Sequence, residues 1–322
     1  GKAKMFGDFR FRAEMDDSQR NAGTVDDRER NKLRFRARLG VKFAPADNWS
    51  AKIRMSTNVK SLNSPHEDFS TATSARDNFG LDQAYFAYSK DNTTLIGGRT
   101  PLNIWKTSEV TWDDDLTADA VAAVYKMGGL TVNAAFSILT ESGWGNADDT
   151  LTMLQGVYKA GDIKAGLAMF NINSHGAYQS DNITVLNAQY KPKDWRVAIE
   201  ILSSDADTED MAYVAQYRRS FEDGHGMRLY YYHVEAFSVP GDGAFSQDNF
   251  PTSGNTGGSN FEGFRLQYDY KIEKNVAMDV RYYQMETVVD DSATLLAATA
   301  SDAIFTENDG RSRIQVNLNL KF

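Results

Sequence analysis

The residues best placed to do chemistry are charged and evenly spaced. Arg10 and Arg12, then Lys32, Arg34, Arg36 and Arg38, then Lys52 and Arg54, stand two apart along three stretches, and Arg313 adds a cation near the end of the chain. Guanidinium groups stay charged at ordinary pH and offer several N–H donors. A row of them would attract and orient anions, and their crowding calls for water or acids nearby. Such acids lie between residues 100 and 117: Glu109, Asp113, Asp114 and Asp115, in company with Trp105 and Trp112. Facing each other across water, the two sets would create a field that orients dipolar solutes. It would also disfavour apolar ones, because stripping water from charges is costly. The acids read equally as a solvated external loop, and the arginines as hydrogen-bonded stiffening of a wall.

Covalent and metal chemistry find less support. His66, His175, His225 and His233 are dispersed, and only His233 falls inside an expected strand. No G-x-S-x-G, phosphate-binding glycine loop or H-E-x-x-H is present, so no enzyme and no cofactor is expected. Asp205, Asp207 and Glu209, with Asp210, have a spacing that calcium could use, but the glycine pivot and terminal bidentate Glu of a calcium loop are missing. A charged loop is the plainer reading. Cysteine is absent, which removes disulfides, zinc thiolates and thiol nucleophiles. The net charge of -9 argues against nucleic acid as a partner, although 15 of the 35 Lys and Arg lie in the first 60 residues. No signal peptide opens the sequence, which suits a processed form or a cytosolic protein.

The basic rows fix the elements that carry them. In residues 32–43, Leu33, Phe35, Ala37, Leu39, Val41 and Phe43 share one parity, and Lys32, Arg34, Arg36, Arg38, Gly40 and Lys42 the other. A period of two places these sets on opposite faces of a β-strand, one apolar and one cationic. A soluble sheet would set core against water; a membrane barrel would set lipid against a water-filled lumen. Residues 7–15 and 49–59 repeat the pattern, and residues 311–322 close the chain with Ile314, Val316, Leu318, Leu320 and Phe322 alternating with polar side chains.

The connections decide between the two solvents. About sixteen strands can be drawn, with the phases of 151–159 and 227–236 ambiguous, and the segments between them alternate long and short throughout. The short ones carry Gly, Pro, Asn, Asp and Lys, the residues of tight turns. Propellers would repeat in fours, and Greek-key sandwiches have no reason to alternate in this way. Phe43, Trp49, Tyr88, Tyr125, Tyr158, Tyr190, Trp195, Tyr217, Tyr268 and Phe322 gather beside the short turns, as an aromatic belt at a membrane surface would. The expectation is an all-β, transmembrane, up-and-down antiparallel β-barrel over residues 1–322, a single domain with short turns on one rim and long loops on the other.

Several stretches also resemble a known family. The closing R-I-Q-V-N-L-N-L-K-F looks like the last strand of bacterial outer-membrane proteins, which the barrel assembly machinery reads. G-D-F-R-F-R at 7–12, L-R-F-R-A-R-L-G-V-K-F at 33–43 and G-G-R-T-P-L at 97–102, with Trp112 and Asp113 downstream, are similar to the "putative porin" family, some of whose barrels follow an S-layer-homology anchor. No such anchor is present, and the Pro-Glu-Phe-Gly-Gly signature of enterobacterial general porins is missing. The resemblance implies a homotrimeric general diffusion porin of the bacterial outer membrane, surrounded by lipid and passing ions and small hydrophilic solutes. It further implies that residues 100–117, joining the fifth and sixth strands, fold inward and narrow the lumen. Two alternatives stand beside it: a channel selective for anions or sugars, and a barrel whose role is to tether the membrane.

Overall fold

The structure, a computed structural model, describes residues 3–19, 28–59, 64–69, 78–141, 147–174, 182–243, 245–246, 258–289 and 310–322. His175, Asp290 and Asp291 lie outside them. Sixteen long strands follow one another: β1 (Lys4–Gln19), β2 (Arg28–Phe43), β3 (Trp49–Thr57), β4 (Phe79–Lys90), β5 (Thr93–Thr100), β6 (Ala118–Met127), β7 (Leu130–Thr140), β8 (Asp149–Ala160), β9 (Ile163–Asn173), β10 (Asn182–Tyr190), β11 (Trp195–Ser204), β12 (Met211–Ser220), β13 (His225–Val234), β14 (Phe261–Glu273), β15 (Val276–Glu286) and β16 (Gly310–Lys321). Each pairs antiparallel with its neighbours, and β16 pairs with β1, so the sheet closes on itself. A two-residue strand, Glu67–Asp68, adds to β2 opposite Arg34 and Phe35.

The side chains divide as alternation requires. Phe9, Leu39, Leu167, Met169, Leu186 and Ile199 point outward and are exposed, while Gln83, Asn133, Gln155, Asn187, Gln216 and Asn317 point inward and are buried. Apolar outside and polar inside inverts the arrangement of a protein in water and fits a barrel whose outer solvent is lipid. At the short-turn rim, Trp49 lies 5.0 Å from Tyr88 between ring centroids, and Tyr190 meets Trp195 edge-on at 5.4 Å. The seam closes at the same rim, where Gly7 and Phe322 exchange backbone hydrogen bonds of 3.2 and 3.1 Å. A Cβ on Gly7 would collide with the Phe322 ring and the Arg38 carbonyl, so glycine is required for the closing approach.

Two features depart from the sequence reading. The first hairpin is longer than its apolar pattern: β1 continues past Met15, and β2 begins before Lys32. Charge pairing carries it on, since Asp16 accepts from Arg311 and Arg313 at 3.1 and 2.8 Å and Glu14 lies 3.9 Å from Lys32. More consequentially, the lumen is not polar along its whole height. Toward the long-loop rim, inward residues of β6 to β15 form an apolar core that includes Met153, Phe170, Val185, Leu202, Tyr232 and Phe261. Strands such as β8 are thus apolar on both faces, which is why their phases are ambiguous in the sequence.

Leu167 sits mid-strand on the outer face of β9. Leu167→Arg is expected to cost about 2–4 kcal/mol, the price of an arginine at the bilayer midplane. Urea unfolding of the barrel in lipid vesicles measures it, and an unchanged midpoint would contradict a lipid-facing surface there.

Candidate functional site

What fills the apolar half of the lumen is the connection between β5 and β6, residues 101–117. Leu102, Val110, Trp112 and Leu116 from this loop belong to the interior core. It is held, through side chain and backbone, by inward polar side chains of successive strands. Asn103 donates to Asn133 of β7 at 3.0 Å, and the Trp105 N–H donates to Gln155 of β8 at 2.8 Å while its carbonyl accepts from the same amide at 2.7 Å.

The strongest hold is Glu200 of β11, which is fully buried. Its Oε2 accepts from Thr107 N at 2.9 Å, Thr107 Oγ1 at 3.3 Å and Ser108 N at 3.1 Å. Its Oε1 accepts from Ser108 Oγ at 2.9 Å and Thr111 Oγ1 at 2.6 Å. Hydrogen bonds to an ionised acceptor are about twice as strong as neutral ones. A second connection, between β13 and β14, presses from the long-loop side: Phe245 stacks on Trp112 at 5.1 Å, and its carbonyl accepts from Asp113 N at 2.8 Å.

The loop then crosses to the opposite wall. Asp115 accepts from Arg36 Nη1 at 3.0 Å and from Arg38 Nη1 at 2.7 Å, and Asp8 of β1 binds the same two arginines at 2.9 and 2.8 Å. Burial opposes the charge on Asp115, but Arg36 and Arg38 outweigh it and bring its pKa to about 2. Asp113 behaves oppositely. Burial, then Asp115 and Glu109, push its carboxyl well above the usual range, and its Oδ1 accepts from Asp115 N at 2.7 Å. Lys106 reaches Asp114 at 2.6 Å; burial works against its ammonium, but Glu109 and Asp114 outweigh that and hold the charge.

These placements change the picture of an acidic loop facing a basic wall. Arg10, Arg12, Lys32, Arg34, Arg36, Arg38, Lys52, Arg54 and Arg313 all lie on inward parity, but most meet an acid directly rather than across water. Arg34 pairs with Asp68 at 2.5 Å, Arg54 with Asp82 at 2.6 Å and Arg313 with Asp16 at 2.8 Å. Lys52 lies 5.0 Å from the Phe6 ring centroid. Of the four loop acids, Asp115 is spent on the wall and Asp113 is buried, leaving Glu109 and Asp114 beside open space.

That space was not foreseen in the sequence. A cavity of about 300 Å³ lies between residues 104–109 and Asp114 of the loop and a second set of arginines: Arg196, Arg218, Arg228, Arg265 and Arg281. They come singly from β11 to β15, so no run announces them. Hairpin register brings them together, with Arg218 opposite both Arg196 and Arg228, and Arg281 opposite Gln267. A larger cavity of about 520 Å³ continues toward the short-turn rim and shares Arg228, Gln267 and Arg281 with the first. Asp205, Asp207 and Glu209 do not converge: Asp205 accepts from Asn182 N and Nδ2 at 2.8 and 2.6 Å, and no metal-ligating group of three or more forms among the described residues.

Comparisons with known proteins agree with this architecture. Residues 12–140 match the family described as "Putative porin", in line with the resemblance read from the sequence. No curated protein matches. Among solved structures, the chain is similar to a triple mutant of the Rhodopseudomonas blastica porin, at 10% identity and a TM-score of 0.62 with 100% of each chain covered. A further variant of that porin gives 11% and 0.63, and a structure described as "Asymmetric conductivity of engineered proteins" gives 10% and 0.64, both again over 100% of each chain. Identity this low speaks to the fold: a closed, antiparallel barrel of porin type.

Two outcomes follow for the loop. Glu200→Ala removes five hydrogen bonds and strands the Ser108 amide, while Thr107 keeps Asn187 at 3.0 Å, a loss on the order of 3 kcal/mol. Limited proteolysis in vesicles should then cut within 101–117, where the unaltered protein resists. The pKa of Asp115 is depressed from its ordinary 3.8, so the stability it lends is complete above that value and is lost as pH falls through about 2. Tryptophan emission from Trp105 and Trp112 should change as pH falls between roughly 4 and 2, a transition that Asp115→Asn should abolish.

Proposed function

We propose that the protein is a porin of the bacterial outer membrane, a passive, water-filled route for ions and small hydrophilic solutes, with a lumen weighted toward anions. The observation that carries this reading is the lining of the two joined cavities. The larger has eight cationic side chains against four carboxylates, Asp8, Asp269, Glu273 and Asp279. The smaller has six against two, Glu109 and Asp114. The chain as a whole carries -9, so positive charge is concentrated where a solute would pass. Low-dielectric walls focus such a field, raising the local concentration of anions.

In this reading the residues divide by task. Asp115, Arg36, Arg38 and Asp8 latch the loop to the wall. Glu109 and Asp114 oppose Arg228, Arg265 and Arg281 and set the transverse field that orients dipolar solutes. Apolar solutes are disfavoured because entry would strip water from these charges. The lipid-facing outer surface fits assembly as a homotrimer. A solute-selective channel is the second reading, favoured by the loop and core that occupy the long-loop half of the lumen.

Planar-bilayer recordings test the assignment. Replacing Arg196, Arg218 and Arg228 together with glutamine should move the reversal potential in a KCl gradient toward cation preference, and an unmoved potential would sink it. Liposome swelling with sugars of graded size separates the readings. Non-saturable, size-limited uptake marks general diffusion, saturation marks a selective channel, and no uptake marks a tethering barrel.

A further inference from the structure

The inner wall formed by β1, β2, β3, β15 and β16 follows a consistent rule: an arginine meets a carboxylate. Arg34 has Asp68, Arg36 and Arg38 share Asp8 and Asp115, Arg54 has Asp82, Arg281 has Asp279, and Arg311 and Arg313 share Asp16. Arg10 and Arg12 break the rule. Each donates its Nε to a neutral amide of β16, Arg10 to Asn319 at 2.6 Å and Arg12 to Asn317 at 2.7 Å. Neither has an ion pair among the described residues, and their Nη groups donate to nothing there. Glu14 acts on Arg12 at longer range, but that carboxylate is engaged by Gln315 at 2.7 Å and lies 3.9 Å from Lys32. Arg12 is nevertheless buried, at 6% exposure.

A second anomaly sits at the same place. His66, from the connection after β3, is 1% exposed, and both of its ring nitrogens lack a hydrogen-bond partner among the described residues. The charged groups acting on the ring are Arg12, Arg10, Arg36 and Arg34, which together with burial keep it neutral. Its carbonyl accepts from Asn58 at 3.0 Å and from Arg34 Nη2 at 3.4 Å, and Arg34 stands opposite Arg12 in the β1–β2 register, so the residue sits against the arginine row. Buried charges are paired in folded proteins and buried polar atoms are bonded. Here two guanidiniums that feel Asp115 and Glu14 only at longer range, with no ion pair of their own, converge with an imidazole that has no hydrogen-bond partner among the described residues. Arg10 lines the larger cavity beside Arg36, so the cluster borders the passage at Arg10, with Arg12 and His66 buried behind it.

We propose that Arg10, Arg12 and His66 form a binding site for a small oxyanion, the chemistry shared by phosphate, sulfate and carboxylates. Water can satisfy the donors but supplies no charge; an oxyanion supplies both. The guanidinium forks, fixed by Asn319 and Asn317, direct their Nη donors at its oxygens, and the His66 ring offers an N–H donor beside them. The site rests on the porin reading in that the anion reaches it through the lumen, and it deepens that reading by naming a solute class.

The test uses inorganic phosphate as the probe. Chloride current through single barrels in planar bilayers should fall saturably as phosphate is added. Arg12→Gln and His66→Phe should each weaken that block roughly tenfold, the worth of one charge-assisted hydrogen bond. Arg12→Gln orphans no carboxylate and is expected to leave folding intact. Arg219→Gln, beside a short turn and outside both cavities, should leave the block unchanged. In a second measurement, the His66 ring resonances of the protein in micelles should shift with phosphate. Normal chloride current with no block, or with a block equal in both variants, overturns the site, as does an unresponsive His66 ring. A barrel that passes no chloride but whose His66 ring shifts with phosphate overturns the channel reading and supports the site.

Discussion

A loop can occupy the inside of a barrel only if its backbone polar groups are satisfied there, and Glu200 is where that requirement is met most heavily. One buried carboxylate takes two backbone amides and three hydroxyls from Thr107, Ser108 and Thr111. Gln155 and Asn133 extend the same service to the preceding residues. Polar wall residues in the middle of an apolar half-lumen are therefore the condition for that half to fill at all. Once the loop is seated, Val110, Trp112 and Leu116 give Phe170, Leu202 and Val214 a packing partner, and the inward face of these strands becomes a protein interior.

The charged side of the lumen follows from the same event. With the loop seated against β7 to β12, its far end reaches β2, where Asp115 enters the arginine row and Asp113 is buried behind it. Neighbouring aspartates thus take opposite states, one ionised by guanidiniums and one kept neutral by burial and like charge. The remaining acids, Glu109 and Asp114, meet the singly placed arginines of β11 to β15. Acid and base are divided between contacts that build the wall and contacts that face the passage.

Much of this was legible in the sequence. Alternation in residues 32–43, the succession of long and short connections and the aromatics beside the short turns each follow from local rules with a period of two, and the barrel, its strand number and the inward parity of the first basic rows follow from them. Partners were not legible. Nothing local says that Arg36 meets Asp115, 79 residues on, or that Arg34 meets Asp68. The second arginine set was missed because Arg196, Arg228, Arg265 and Arg281 each look like a lone surface charge, and Arg218 like half of a surface pair with Arg219, until register aligns them. The apolar core was missed because inward apolar residues on β8 or β13 read as uncertain phase when the loop that covers them is out of view.

The core described above lies on one side. It lines β6 to β15, and among the described residues the arc through β16, β1 and β2 to β5 contributes no member to it. A packed interior is nearly incompressible, so the barrel is braced by apolar packing over part of its circumference and by buried paired charges over the rest. Lateral pressure from the bilayer would not squeeze such a cylinder evenly; the apolar wall holds its shape and any ovalisation falls on the charged arc. That arc carries Arg10, Arg12, Arg36 and Arg38, so a change in its curvature would move these arginines against Arg228 and Arg281 across the passage.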